Sequence, residues 1–317
     1  MKDSANDVAL RGQEHWTHKG EVKLYLYERP AATRPALGGV DQQGVGQSGT
    51  ILFVHGSSMS SRPTFDLQVP GRPSSSAMDH FAQLGFDTWC VDMEGYGRSD
   101  QKRAINCDIA NGANDLVAAT DFIKQLRGTE KFLVYGISSG ALRAALFAQR
   151  HPERVARLAL DAFVWTGAGS PTLEERRKRL PQFIGTNRRP IDREFVRSIF
   201  ARDHPGCAEE RVIEAFADQI LAIENSVPTG TYVDMCTKLP VCDPERITVP
   251  TMVMRGQYDG IAGIDDLLEF FKRLPNPDKQ FTVMAGISHA SFQQKNYLAV
   301  YEILHGFFAR PEPLYRG

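Results

Sequence analysis

Phe132-Leu133-Val134-Tyr135-Gly136-Ile137-Ser138-Ser139-Gly140, followed by Ala141-Leu142-Arg143-Ala144-Ala145-Leu146, is the stretch from which the rest of the chain is read. A short apolar run meets a Gly-x-Ser-x-Gly turn, and the turn opens an Ala-rich helical run. Gly136 and Gly140 carry no Cβ, so a strand and a helix can approach closely across the turn. Such a turn is sharp and strained and projects Ser138 into open space. The helix N-terminus favours negative charge developing beside it. The bland alternative is a Ser/Gly turn that only joins two elements.

The same rhythm repeats on either side. Ile51-Leu52-Phe53-Val54 ends at His55-Gly56, Thr88-Trp89-Cys90-Val91 at Asp92, and Leu158-Ala159-Leu160 at Asp161. Thr251-Met252-Val253-Met254 ends at Arg255-Gly256, and Phe281-Thr282-Val283-Met284 at Ala285-Gly286. Runs of this length, bounded by polar residues and glycine, fit strands buried on both faces of a parallel sheet. Helical patterns lie between them, among them the face Leu116, Ala119, Phe122, Ile123 and Leu126. Strands alternating with helices predict an α/β architecture with right-handed crossovers.

One stretch breaks the rhythm. Between Phe163 and Asp243 no strand is evident, and helical segments surround Leu180, Phe195 to Phe200 and Val212 to Ile223. This predicts a helical cap at 163–243 inserted into a core formed by 15–162 and 244–317. Residues 1–14 read as a polar tail, with 1–12 expected to fray. His15 to Arg29 reads as a hairpin turning at Lys19-Gly20, and residues 30–49 as a long loop.

A serine hydroxyl is a poor nucleophile without a base. His289 follows the last strand, in Gly286-Ile287-Ser288-His289, and is the best placed of the eight histidines. His15, His18, His80, His151, His204 and His305 fall on the hairpin, in helices, at a helix end or in the cap. An acid at a strand end should hold the His tautomer and stabilise its charged form. Asp259, in Gly256-Gln257-Tyr258-Asp259, fits, with Asp161 as competitor. Asp265 and Asp266 read as helix-start residues. Two backbone N–H groups should meet the oxyanion. Ser139 supplies one, and the loop His55-Gly56-Ser57-Ser58 the other, from Ser57 or its neighbour Ser58. His55 is expected to brace that loop.

The 317 residues hold 37 Lys and Arg against 38 Asp and Glu, a formal charge of −1. That disfavours a nucleic-acid binder. With 42% hydrophobic and 24% charged residues, the composition is that of an ordinary globular protein. No apolar run reaches the roughly 18 residues of a membrane span, and Met1 to Arg11 has no signal core. Five cysteines without metal-like spacing suggest reduced thiols and a cytoplasmic protein. Self-association is left open.

The chain resembles the α/β-hydrolase fold superfamily, in its serine-nucleophile branch with a helical cap. The resemblance spans roughly residues 15 to 310. It rests on His55-Gly56, Asp92-x-x-Gly95-Tyr96-Gly97-Arg98-Ser99-Asp100, Gly136-x-Ser138-x-Gly140, Gly256-x-x-Asp259 and Gly286-x-x-His289. It implies an eight-stranded, mostly parallel sheet flanked by helices, with a cap over the active site. Asp92 to Asp100 reads as scaffold. Ser138 argues against the Asp-nucleophile dehalogenases and most epoxide hydrolases of this fold.

The resemblance implies a serine hydrolase cleaving a small carboxylic ester or lactone, with Ser138, His289 and Asp259 as triad and no cofactor or metal. Alternatives on the same site are C–C bond hydrolysis of a β-diketone or ring-fission product, and acyl transfer; a ligand receptor of this fold is the remaining rival. Between Phe163 and Arg202, nine cations face four acids, a net of +5, so the rest of the chain carries −6. Those arginines read either as a solvated helical face or as a means of holding an acidic small-molecule substrate. Phe163 and Trp165, with Ser58, are candidate substrate contacts. Ser57 to Met78 reads as a pocket-lining segment or as a surface loop.

Overall fold

A computed structural model describes residues 12–32, 49–311 and 313–314. The predicted tail and the loop at 30–49 lie largely outside these residues. The hairpin is present as β1 (Gln13–Lys19) and β2 (Val22–Arg29), so strand structure begins inside the segment read as tail.

The remaining sheet strands are β3 (Thr50–Val54), β4 (Asp87–Val91), β5 (Phe132–Ile137) and β6 (Val155–Asp161). After β6 the chain leaves the sheet. It builds α-helices and two three-residue strands, β7 (Arg188–Pro190) and β8 (Ser226–Pro228), and then returns as β9 (Thr251–Gly256) and β10 (Lys279–Met284). The eight-stranded sheet runs β1-β2-β4-β3-β5-β6-β9-β10, with the pairs β1–β2 and β2–β4 antiparallel and every pair from β4–β3 to β9–β10 parallel. This is the α/β-hydrolase sheet that the resemblance implied.

Burial on both faces explains the near-continuous apolar strands. In β3, Leu52 and Val54 join the core beneath α3 (Ile109–Arg127) and α4 (Ser139–Arg150). Ile51 and Phe53 join the opposite core. That second core packs under α1 (Ser61–Phe65), α2 (Ala77–Gln83) and the final helix α11 (Tyr297–Phe308). Two local departures follow from position. β10 is an edge strand, so Lys279 to Thr282 are only partly buried and Val283 is exposed, not enclosed on both faces. Leu126, at the end of α3, is exposed.

The inserted segment contains α5 (Pro171–Lys178), α6 (Leu180–Ile184), α7 (Arg193–Ala201), α8 (Glu210–Leu221) and α9 (Gly230–Thr237), and α10 (Ile264–Arg273) follows β9. The expectation that this segment holds no strand is corrected: β7 and β8 pair antiparallel as a separate small sheet. Each is three residues long and ends in proline, too short for an alternation pattern to show.

Candidate active site

The Gly-x-Ser-x-Gly turn joins β5 to α4 as the sequence predicts. Ser138 has φ 58° and ψ −125°, a strained conformation for a residue with a Cβ. A Cβ on Gly140 would run into the carbonyl oxygens of Val54 and His55, so only glycine lets α4 start this close to β3.

His289 lies in the loop after β10, and Asp259 in the loop after β9. His289 Nε2 lies 3.0 Å from Ser138 Oγ, and His289 Nδ1 lies 3.0 Å from Asp259 Oδ1. The Asp259 carboxylate accepts the Nδ1 proton, which leaves the Nε2 lone pair to accept from the serine hydroxyl. Asp259 Oδ1 also accepts from Ile261 N–H at 2.9 Å. The acid and histidine loops are stitched together: Gln257 N–H donates to Met284 O, and Tyr258 N–H to Ile287 O. A side chain on Gly256 would collide with the carbonyls of Ser288 and Ile287.

Asp161, the competing acid, ends β6 and takes another partner. Tyr135 Oη donates to its Oδ2 at 2.6 Å, and burial pushes its carboxyl up to about 6. His55 is fully buried. Its ring contacts Gly56 O at 2.7 Å through Nδ1, and its Nε2 accepts from Met93 N–H at 3.0 Å. Burial and the charge of Arg143 push this imidazole down to about 3, so it is a neutral brace. Arg143, a buried cation without a sequence signal, donates to His55 O at 3.0 Å. Among the described residues, neither the Ser57 nor the Ser139 N–H has an acceptor, as donors aimed at an oxyanion require.

Ser138 and His289 open into a cavity of about 710 Å³. Its sheet-side wall includes Ser57, Ser58, Thr64 and Gln293. The first half of the Ser57–Met78 segment therefore lines the cavity. The second half clamps the histidine loop: Arg72 donates to Phe292 O at 3.1 Å and to Gln294 O at 2.8 Å.

Phe163 and Trp165 do not line this cavity. Both pack against Phe270 of α10, at 4.7 and 6.0 Å between ring centroids, and the Trp165 indole donates to Cys242 O. The chain leaving β6 turns these rings onto the sheet-side core, so the assignment of both as substrate contacts is corrected.

The cap-side wall is formed by Arg176, Arg179, Phe183, Arg202 and Tyr232, among others. The +5 stretch divides by direction. Arg193 and Arg197 pair with acids of α8 on the outside. Arg176 instead stacks over the Tyr232 ring at 4.1 Å, with Met235 Sδ at 3.8 Å from Nη1. Arg189 lies over the same ring at 4.2 Å and donates to Ser57 O at 3.2 Å and Ser58 Oγ at 2.8 Å. Burial, together with Arg202 and Arg189, lowers the Arg176 guanidinium from its ordinary value despite the opposing influence of Tyr232. Burial alone would raise the Tyr232 phenol, but Arg176 and Arg189 outweigh it and push the phenol down to about 7.

Asp203, Asp259 and His289 each place one ligand atom within 4.8 Å of the others, a spacing a cation could use. Both ring nitrogens of His289 are, however, engaged within the triad.

The family model described as serine aminopeptidase S33, Hydrolase_4, matches residues 71–296. The chain belongs to this family. This hydrolase is 40% identical to a proline iminopeptidase of Neisseria meningitidis, over 64% of this chain and 74% of the relative. It is 25% identical to a 2-hydroxy-6-oxononadienedioate/2-hydroxy-6-oxononatrienedioate hydrolase of Paraburkholderia phymatum, over 63% and 70%. Among solved structures, E-2-(acetamidomethylene)succinate hydrolase shares the hydrolase's fold with a TM-score of 0.67, 17% identity and coverage of 95% and 100%. No helix among the described residues is long and apolar enough to cross a membrane.

Proposed function

We propose that this hydrolase cleaves a small carboxylic ester or lactone that itself carries a carboxylate, through an acyl-enzyme on Ser138. Ser138 Oγ attacks the carbonyl carbon as its proton passes to His289 Nε2. Asp259 holds the Nδ1 proton and stabilises the imidazolium. The Ser57 and Ser139 N–H groups receive the oxyanion. His289 returns the proton to the leaving group and then activates water, which releases the acid.

The observation that carries the substrate class is the cap wall facing Ser138. There, among the described residues, Arg176 has a thioether and an aromatic ring, not a carboxylate, for partners. A substrate carboxylate supplies the missing charge through charge-assisted hydrogen bonds. A peptide amino terminus fits poorly, since its ammonium would face Arg176, Arg179 and Arg202. The acids on this wall, Glu175 and Asp203, are already paired with Lys178 and Arg202. The resemblance to a dienedioate hydrolase favours C–C cleavage of a keto diacid as the second reading.

The test compares mono-p-nitrophenyl succinate with p-nitrophenyl butyrate, alongside proline p-nitroanilide and a vinylogous diketo acid. The expected result is a kcat/KM for the succinate about tenfold or more above the butyrate, lost in Ser138→Ala. Preference for proline p-nitroanilide would overturn the proposal. Preference for the diketo acid would transfer it to the second reading.

A further inference from the structure

The turn after α7 brings a second carboxylate to the triad. Arg202 closes a fork on Asp203, with Nε to Oδ1 at 2.8 Å and Nη2 to Oδ2 at 2.6 Å. Arg202 and Asp203 both line the cavity, and the Asp203 side chain is only 5% exposed. Its carboxylate lies against Gly260, where an added Cβ would come within 2.7 Å of Oδ1. From there its ligand atom lies within 4.8 Å of those of Asp259 and His289.

This placement is held from several sides. The His204 ring stacks on Tyr258 at 3.9 Å with 14° between planes. Thr172 N–H and Ser170 Oγ both reach Gly260 O, at 3.3 and 3.4 Å. The cap therefore grips the acid loop through residues 202–204 and through the start of α5.

We propose that Asp203 is a positioning residue of the catalytic histidine: its charge, set beside the Asp259–His289 pair, supports the imidazolium formed in the acylation step, and Arg202 moderates that support. The inference rests on the proposed triad chemistry. A negative charge at this range favours the protonated ring, and a positive one opposes it. Burial would raise the Asp203 carboxyl, but Arg202 and His289 more than offset this and hold it below its ordinary value, so it is ionised where the enzyme works.

Other charged and titratable groups around His289 are Asp259 and Tyr258 on the acid loop and Asp161 at the end of β6, bonded to Tyr135. Arg255 donates to the Asp259 carbonyl at 3.0 Å. Burial raises the Asp161 carboxyl to about 6, so this group also contributes to a pH profile, and a single displaced limb would not identify Asp203. Opposite displacements from two neighbouring residues would.

The experiment measures kcat against pH for Asp203→Asn and Arg202→Gln with p-nitrophenyl butyrate, a neutral substrate. Asp203→Asn is expected to move the acid limb to lower pH by about half a unit and to lower plateau kcat about threefold, the same half unit expressed as a rate. Arg202→Gln is expected to move the limb to higher pH. Asparagine keeps the shape of the buried group, and a fluorophosphonate probe reports an intact Ser138 in each variant. Limbs that stay in place, or move in the same direction, while the probe still labels overturn the inference. Failure of the probe on the wild-type enzyme, or turnover by Ser138→Ala, overturns the triad reading instead.

Discussion

On the sheet side of the cavity, Asp259 accepts from His289 and from Ile261 N–H, and Ser138 meets His289. On the cap side, Arg176 leans on Met235 and Tyr232, and Arg179 reaches the Gln182 amide oxygen and the Phe183 ring. The first wall is complete within the chain, positioned by loops stitched to each other. The second gathers guanidinium groups, and burial with the neighbouring Arg202 and Arg189 lowers that of Arg176 from its ordinary value. A self-sufficient wall can act on any acyl group that reaches it. A wall with surplus charge selects which acyl group does.

The comparison breaks most visibly if the acid is misassigned. Asp259→Asn should lower kcat on the order of 10³-fold or more by removing the acceptor that fixes the histidine tautomer. Asp161→Asn should cost less than about fivefold, because that carboxyl serves Tyr135. Steady-state kinetics on both variants decide this, and equal losses would make the two acids interchangeable.

The cap wall is tested next. Arg176→Met should raise KM for mono-p-nitrophenyl succinate by about 10- to 100-fold, the size of a lost charged hydrogen bond. KM for p-nitrophenyl butyrate should stay within about twofold. Equal effects on the two esters would reduce Arg176 to packing.

The smallest effect concerns Tyr232. Its phenol, pushed down to about 7, is neutral below that pH and anionic above it. The phenolate would offset the charge of Arg176, so KM for the succinate ester should rise about threefold between pH 6 and pH 8. Tyr232→Phe should flatten that rise and leave the butyrate profile unchanged. Persistence of the rise in Tyr232→Phe would place the titrating group elsewhere.

The sheet was readable because burial on both faces writes itself as apolar runs, and the elbow because its glycines have no substitute. Ser138, His289 and Asp259 were readable from their places after strands. Phe163 and Trp165 were not: a sequence shows that rings follow β6, not which way the backbone turns them. The +5 segment showed an excess of charge without its direction. Only the fold sends Arg193 and Arg197 outward and Arg176 inward. Buried charges such as Arg72, Arg143 and Glu224 left no signal, because their partners are backbone groups far along the chain.

The bare Cα of Gly256 works as a spacer. The strand leading to Asp259 rests directly on the carbonyls of Ile287 and Ser288, so the 3.0 Å between acid and histidine is set by the thickness of a hydrogen atom. A single methyl group there, more than 20 residues from His289 in the chain, would act as a wedge between two members of the triad while leaving all three in the sequence.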